Sequence, residues 1–246
     1  MNNNFTTKTV REIALEMPLT TKVFENYKID FCCGGNRMFL DACKTAGADA
    51  ENVLKALSVY LENPAETELD WVKTASLGRL IDYIVDKHHT YTRDEIKSLG
   101  PLMIKVAGKH GESHVELYAL EELFIELCND LVPHLMKEEQ ILFPYIGELE
   151  NFKIKQARVP TSCFGTVRNP VGMMMREHDT AGEILRNMRL VSNDYRIPEG
   201  ACPSYTALLT RLEAFEKDLH QHIHLENNVL FPKAIELENE IFSLEG

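Results

Sequence analysis

His134-Leu135-Met136-Lys137-Glu138, followed by Glu139-Gln140-Ile141-Leu142-Phe143-Pro144, has a second copy in the chain. The other copy is His222-Ile223-His224-Leu225-Glu226, followed by Asn227-Asn228-Val229-Leu230-Phe231-Pro232. Each reads His-x-x-x-Glu and reaches Phe-Pro at the same distance. On a helix, residues four apart stack on one face, so each copy presents an imidazole and a carboxylate side by side. A neutral imidazole nitrogen and a carboxylate oxygen suit a borderline transition metal such as iron. Helix surfaces produce one such pair by chance. Two with matching downstream sequence mark a duplicated metal-binding helix.

The repeat extends outward from the motif. His89 precedes His134 by 45 residues, and His178 precedes His222 by 44. An apolar stripe of Leu77, Leu80, Ile81, Ile84 and Val85 leads into His88-His89. A second, through Leu117, Leu120, Phe124, Leu127 and Leu131, leads to His134 from a start near Val115. A third helix opens at Gly172 and carries Arg176-Glu177-His178-Asp179. A fourth, from about Tyr205, carries Leu208, Leu212, Phe215 and Leu219 toward His222. Gly100-Pro101 breaks or kinks the first helix, and Asn151–Pro170 reads as a long crossover. Each half is thus a one-histidine helix, a connection and a His-x-x-x-Glu helix. The fold class expected is all-α, a four-helix bundle with ligands projecting into its core.

The halves together supply four histidines and two glutamates. Two irons can each take two histidines while both carboxylates bridge them, with an oxide, hydroxide or water bridge offsetting the remaining charge. A single four-ligand site leaves one His/Glu pair unexplained. Helical spacing points His88 toward the core more squarely than His89, and the repeat spacing barely separates the two. His110, His114, His220 and His224 fall outside the pattern, as surface or outer residues. His224 and Glu139 are expected to face away from the ligands beside them, and Glu177 and Glu183 to lie near the site as acid or channel groups.

The first sixty residues read as a separate small helical unit, residues 1–62, with the larger domain spanning 63–246. Thr9–Met17 is a short amphipathic helix, and Pro18 suits the first turn of a second. Asp30-Phe31-Cys32-Cys33-Gly34-Gly35 is a tight turn ahead of a third helix, Met38–Ala46, with a fourth running from Asp49 to about Leu61. A thiol at a helix N-terminus is biased toward thiolate, so Cys32 and Cys33 are the candidate reactive pair. Cys43, Cys128, Cys163 and Cys202 read as ordinary scattered thiols. The polar stretch from Asn63 to Asp70 reads as a linker.

Bulk properties exclude several classes. Twenty-six basic against thirty-eight acidic residues give −12, which disfavours nucleic acid and anionic membrane as partners. No apolar run reaches the roughly 18–20 residues of a membrane span. Met1–Thr9 lacks a signal-peptide core, and the six cysteines show no secreted disulfide spacing, so the expected location is the reducing cytoplasm.

With these residues assembled, the chain resembles the repair-of-iron-centres family, the YtfE/ScdA type, over nearly its whole length. The Asp30–Gly35 stretch resembles the hallmark of that family's N-terminal domain. Lys137–Pro144, Leu225–Pro232 and Glu177-His178-Asp179 with Ala181-Gly182-Glu183 resemble its haemerythrin-like domain. The family places a tyrosine and then the ligand histidine on the first helix, which implies His89 as ligand and puts His88 at the tyrosine position. The implied metal ligands are His89, His134, Glu138, His178, His222 and Glu226. The resemblance implies a non-haem di-iron protein, oxo- or hydroxo-bridged, that repairs iron–sulfur proteins damaged by nitrosative and oxidative stress. It further implies a homodimer in the cytoplasm. Iron donation assisted by Cys32 and Cys33 is the leading reading. The alternatives are a di-iron enzyme that reductively couples nitric oxide, and a module that binds or senses oxygen or nitric oxide.

Overall fold

A computed structural model describes residues 5–62, 70–155 and 161–243. The expected linker, apart from Asp70, lies outside the described residues, as does part of the crossover at 156–160. Eight helical rods and no strands occur among the described residues. The N-terminal unit comprises α1 (Val10–Glu16), α2 (Thr20–Asn26), α3 (Phe39–Ala46) and α4 (Ala50–Glu62). The bundle comprises α5 (residues 77–110), α6 (116–155), α7 (168–191) and α8 (203–243).

Local chemistry starts these rods where it does. Thr9 caps α1 in a reciprocal box with Glu12. Asp49 accepts the backbone N–H groups of Glu51 and Asn52. Two bundle helices are also capped from a distance, α5 in addition to its local cap Ser76, which accepts the N–H of Arg79 (3.2 Å). The Glu150 carboxylate accepts the N–H groups of Leu77 (2.7 Å) and Gly78 (2.9 Å) at the start of α5. Glu238 accepts the N–H of Val167 (2.8 Å) and the Tyr145 hydroxyl (2.8 Å) ahead of α7. This distant cap explains why α7 begins at Arg168 rather than at Gly172, a correction to the expected start. α5 runs on through Gly100-Pro101 to His110.

Three rods contain a widened, π-helical turn: Ile84–His89 in α5, Glu138–Leu142 in α6 and Glu226–Leu230 in α8. In each, the closing N–H reaches five residues back: Thr90 to Val85, Phe143 to Glu138 and Phe231 to Glu226. Pro144 and Pro232 follow two of them, although Pro101 and Pro133 lie in regular α-helix without one. A proline ring clashes with the carbonyl four residues earlier and has no N–H to offer, and an extra residue in the preceding turn relieves both problems. In α5 the Thr90 hydroxyl also donates to the Val85 carbonyl (3.1 Å), which opens the ladder there.

The bundle holds two apolar cores rather than one. Leu99, Met103, Leu120, Phe124, Leu185, Leu212, Phe215 and Leu219 fill one end. Leu80, Ile84, Leu142, Ile146, Met174, Leu230, Phe231 and Ala234 fill the other. On each bundle helix, buried polar residues lie between these clusters. A third core, built on Ile13, Phe24, Phe39, Val53 and Leu57, holds the N-terminal unit together.

Candidate metal centre

At the seam between the two bundle cores lie His89, His134, Glu138, His178, His222 and Glu226, none more than 2% exposed. Two of the widened turns begin at a glutamate of this set and the third ends at His89. Such turns redirect side chains without ending a helix.

The six residues form two overlapping groups of four. Ligand-type atoms of His89, Glu138, His222 and Glu226 all lie within 4.8 Å of one another, as do those of His134, Glu138, His178 and Glu226. Both carboxylates are common to both groups. His89 Nε2 faces His222 Nε2 at 3.1 Å, and His134 Nε2 faces His178 Nε2 at 3.0 Å, so each pair takes one imidazole from each half of the repeat. Glu226 reaches His222 Nε2 at 3.0 Å through one oxygen and His178 Nε2 at 3.1 Å through the other. One oxygen of Glu138 lies 3.5 Å from His89 Nε2 and 3.4 Å from His134 Nε2. Phe143 stacks on His89 and Phe231 on His178, which gives the Phe of each Phe-Pro a packing role.

Outer contacts decide which nitrogens face inward. His89 Nδ1 donates to Glu139 Oε1 (2.7 Å) and His134 Nδ1 to Glu177 Oε2 (2.8 Å). His178 Nδ1 donates to the Asn227 side-chain oxygen (2.8 Å). With the proton on Nδ1, each Nε2 turns a lone pair inward. Hence His134 and His178 point two lone pairs at each other across 3.0 Å, beside carboxylate oxygens. Both oxygens of Glu138 are buried without a hydrogen-bond donor, as is Oε2 of Glu226. Such convergence is repulsive unless a cation lies among the donors. Donors about 2.1 Å from a shared transition ion and at right angles to it lie about 3.0 Å apart, so the arrangement fits metal.

The electrostatics are those of a site built for positive charge. Burial, and then the charge of Glu226, raises the Glu138 carboxyl far above its ordinary range. Burial pushes Glu226 the same way, but His222, His178 and His89 around it bring it well below. Burial lowers His134 and pushes His222 down to about 3, keeping both neutral as ligation requires. The hydrogen bond from His134 and then that from Lys137 hold Glu177 down at about 2, against burial, which pushes it up.

Some expectations change. Glu139 does face away from the inward cluster, but it is no bystander, since it fixes His89. The residue after each glutamate of the set plays this part in both halves, a regularity visible only once the widened turn is known. His88 is also buried, at 2% exposure, yet its Nδ1 turns to Asp218 Oδ1 (3.1 Å) rather than into the six-residue cluster. Glu177 lies at the site. Glu183 is exposed, near Arg186. His224 points away as expected, toward the N-terminal unit, where Nδ1 meets Asn228 and the Phe31 carbonyl. Cys202 is not merely scattered, since its sulfur lies 3.1 Å from His110 Nε2.

Cys32 and Cys33 sit in an irregular turn rather than at a helix N-terminus, because α3 begins only at Phe39. The thiolate bias expected of Cys32 is therefore overturned. The neighbouring Cys33 thiol, burial and the nearby Asp30 raise Cys32 well above the ordinary thiol range. Asp30 Oδ1 accepts the N–H groups of Cys32 (3.2 Å) and Cys33 (2.9 Å), and the two sulfurs are 3.8 Å apart. A Cβ at Gly35 would meet the Phe31 carbonyl at 2.7 Å, so only glycine closes this turn. Asn228 donates to the carbonyls of Phe31 (3.1 Å) and Cys32 (3.4 Å). The Cys33 thiol lies 3.6 Å from the backbone carbonyl of His178, over Gly182, where a Cβ would come within 3.4 Å of the sulfur. The turn thus rests directly on the helix that carries His178.

Two family models match the chain. Residues 80–234 match the hemerythrin HHE cation binding domain, and residues 6–60 match a domain of unknown function, DUF542. The chain is similar to the iron-sulfur cluster repair protein YtfE of Dickeya chrysanthemi (strain Ech1591), 35% identical over 224 residues, which are 91% of this chain and 95% of that one. It is 32% identical to the iron-sulfur cluster repair protein ScdA of Staphylococcus haemolyticus (strain JCSC1435), over 91% of this chain and 96% of that one. It is 34% identical to the iron-sulfur cluster repair protein YtfE of Yersinia pseudotuberculosis serotype IB (strain PB1/+), over 91% and 94% respectively.

Proposed function

The chain belongs to the family of iron–sulfur cluster repair proteins with a haemerythrin-type domain, and from that premise we propose that it holds two non-haem iron ions and returns iron to damaged iron–sulfur clusters. The observation that carries the reading is the pair of four-donor groups sharing Glu138 and Glu226. His89 and His222 would hold one ion and His134 and His178 the other, with Glu138 and Glu226 open to both. A small anion such as oxide or hydroxide would balance the charge that two carboxylates leave over. When bound, the irons supply redox-active metal that is also the cargo.

The protein's own groups do the rest. Glu139 and Glu177 hold the Nδ1 protons of His89 and His134, which keeps each imidazole oriented and electron-rich. The apolar cores on either side exclude bulk water. The Cys33 thiol, resting on the His178 carbonyl, stands where departing metal can be received or a cluster protein docked. The division into units 1–62 and 63–246, cytoplasmic residence, a homodimeric state and action under nitrosative and oxidative stress belong to the same proposal and follow the family resemblance. No helix among the described residues is long and apolar enough to cross a membrane.

The test uses a hydro-lyase whose cluster has been damaged by nitric oxide. Iron-loaded protein is expected to restore its activity, and the double variant Cys32→Ser/Cys33→Ser to keep its iron while restoring much less. Loss of iron from the double variant would mean that the thiols support the centre instead. Multiple-turnover nitrous oxide formation by the reduced protein, without repair, would overturn the reading in favour of a nitric oxide-coupling enzyme.

A further inference from the structure

The outer contacts of the centre obey the internal repeat, with one departure. Glu139 follows Glu138 and holds His89; Asn227 follows Glu226 and holds His178. Glu177 precedes His178 and holds His134. By the same rule His88, which precedes His89, should hold His222. It does not. The His88 and His222 rings lie nearly parallel, 6° between planes and 5.8 Å between centroids, so neither nitrogen of one addresses the other edge-on.

On the two helices that carry that pair, four buried polar atoms lack partners, and helix spacing sets them together in a nest: His222 Nδ1, His88 Nε2, Asp218 Oδ2 and Thr92 Oγ1. Asp218 lies one turn before His222 on α8, and Thr92 one turn after His88 on α5. Asp218 already binds His88 Nδ1 through its other oxygen. His88, Thr92 and His222 are at most 2% exposed, so bulk solvent does not satisfy these atoms. Buried donors and acceptors left unpaired cost about 1–3 kcal/mol each. An internal water typically makes about three hydrogen bonds to such groups.

We infer that this nest is a binding site for internal water, and that Asp218 acts through that water as the outer partner of His222. With Nε2 directed into the centre, the His222 proton belongs on Nδ1, which therefore donates to the water. The water donates in turn to the Asp218 carboxylate, and His88 holds that carboxylate in place. Asp218 is thus a positioning residue for one of the four imidazoles. The inference rests on the proposed metal centre, and it names Asp218 as the fourth outer partner that the repeat leaves missing.

The test is a crystal structure of the zinc-loaded protein, paired with ¹⁵N-edited spectra of His222 and metal release to a chelator. The expected map has ordered water within about 3.2 Å of both His222 Nδ1 and Asp218 Oδ2. The spectra should place the proton on Nδ1, and Asp218→Ala should shift that N–H signal and speed metal release by about 10- to 100-fold. Asp218→Asn, which retains an oxygen acceptor, should fall between. A dry nest, a His222 ring turned to bind metal through Nδ1, or Asp218→Ala releasing metal at the wild-type rate would each overturn the inference. Should Asp218→Ala not fold, the map and the wild-type spectra still decide. Wild-type protein that takes up no metal would overturn the centre itself, a separate failure.

Discussion

Glu177 makes two bonds at once, to His134 Nδ1 and to Lys137 Nζ, and its low pKa of about 2 records how strongly that position favours a carboxylate. Its charge makes the His134 imidazole a better donor, so Glu177→Ala should weaken metal binding by about 10- to 100-fold in chelator competition. Glu177→Gln keeps an acceptor without the charge and should lose less. Equal losses would show that the charge, not the retained hydrogen bond, is what matters. The inward residues were legible because a four-residue spacing and its repetition survive in one dimension. The outer roles of Glu139 and Asn227 were not, and Glu177 was placed near the site without its partner, because each is adjacent to a ligand-type residue. Adjacent positions on a regular helix diverge by about 100°. They meet ligand-type histidines only on a neighbouring helix, which sequence spacing does not encode.

At the scale of the element, the widened turns join local sequence to the geometry of the centre. The Phe-Pro after each motif was readable as a repeat, but not as the mark of a widened turn. A π turn is an α turn with one residue inserted, so removing one residue returns the helix to regular pitch with its flanks in register. Deletion of Ile141, half-exposed in the turn of α6, should therefore preserve far-UV helicity while displacing Glu138 and cutting metal content. Full metal content in that variant would show the turn to be incidental. Helix starts were less legible where their caps are tertiary. Glu238 lies far along the chain from the Val167 N–H it accepts, so no local signal announces it, whereas Ser76 marks the start of α5 locally. The turn at Cys32-Cys33 and the start of α3 were legible to within a residue, but the cysteines lie too far ahead of Phe39 to feel the helix dipole, which falls off within the first turn.

Across the whole molecule, the N-terminal unit is fastened to the bundle by polar contacts close to the centre. Glu25 binds His220 (2.9 Å) and lies 3.6 Å from Arg189, which is itself held by Glu216 at 2.7 Å. Lys28 pairs with Asp194, and Arg11 donates to the Asn228 carbonyl (3.2 Å). Burial alone would raise Glu25, yet His220, Arg189 and Lys217 hold it below the ordinary carboxylate range. A carboxyl depressed on folding stabilises fully above its unfolded pKa, about 4.3, and that contribution fades as pH falls through the folded value. Glu25→Gln should therefore lower the melting temperature at pH 7, and the gap from wild type should close as pH drops below about 4. A gap that persists unchanged into acid would mean that the Glu25 charge is not what fastens the two units. This docking was not legible in the sequence, because Glu25, Lys28 and Arg11 look like ordinary solvated charges until the bundle is placed against them.

The central claim is that two ions share two carboxylates between paired imidazoles from both halves of the repeat. Anomalous diffraction at the iron edge, on crystals of protein purified without added metal, tests it most directly. The account predicts two peaks about 3.5–4 Å apart, one between His89 and His222 and the other between His134 and His178, each touching Glu138 and Glu226. A single peak, or iron bound anywhere outside this seam, would contradict it.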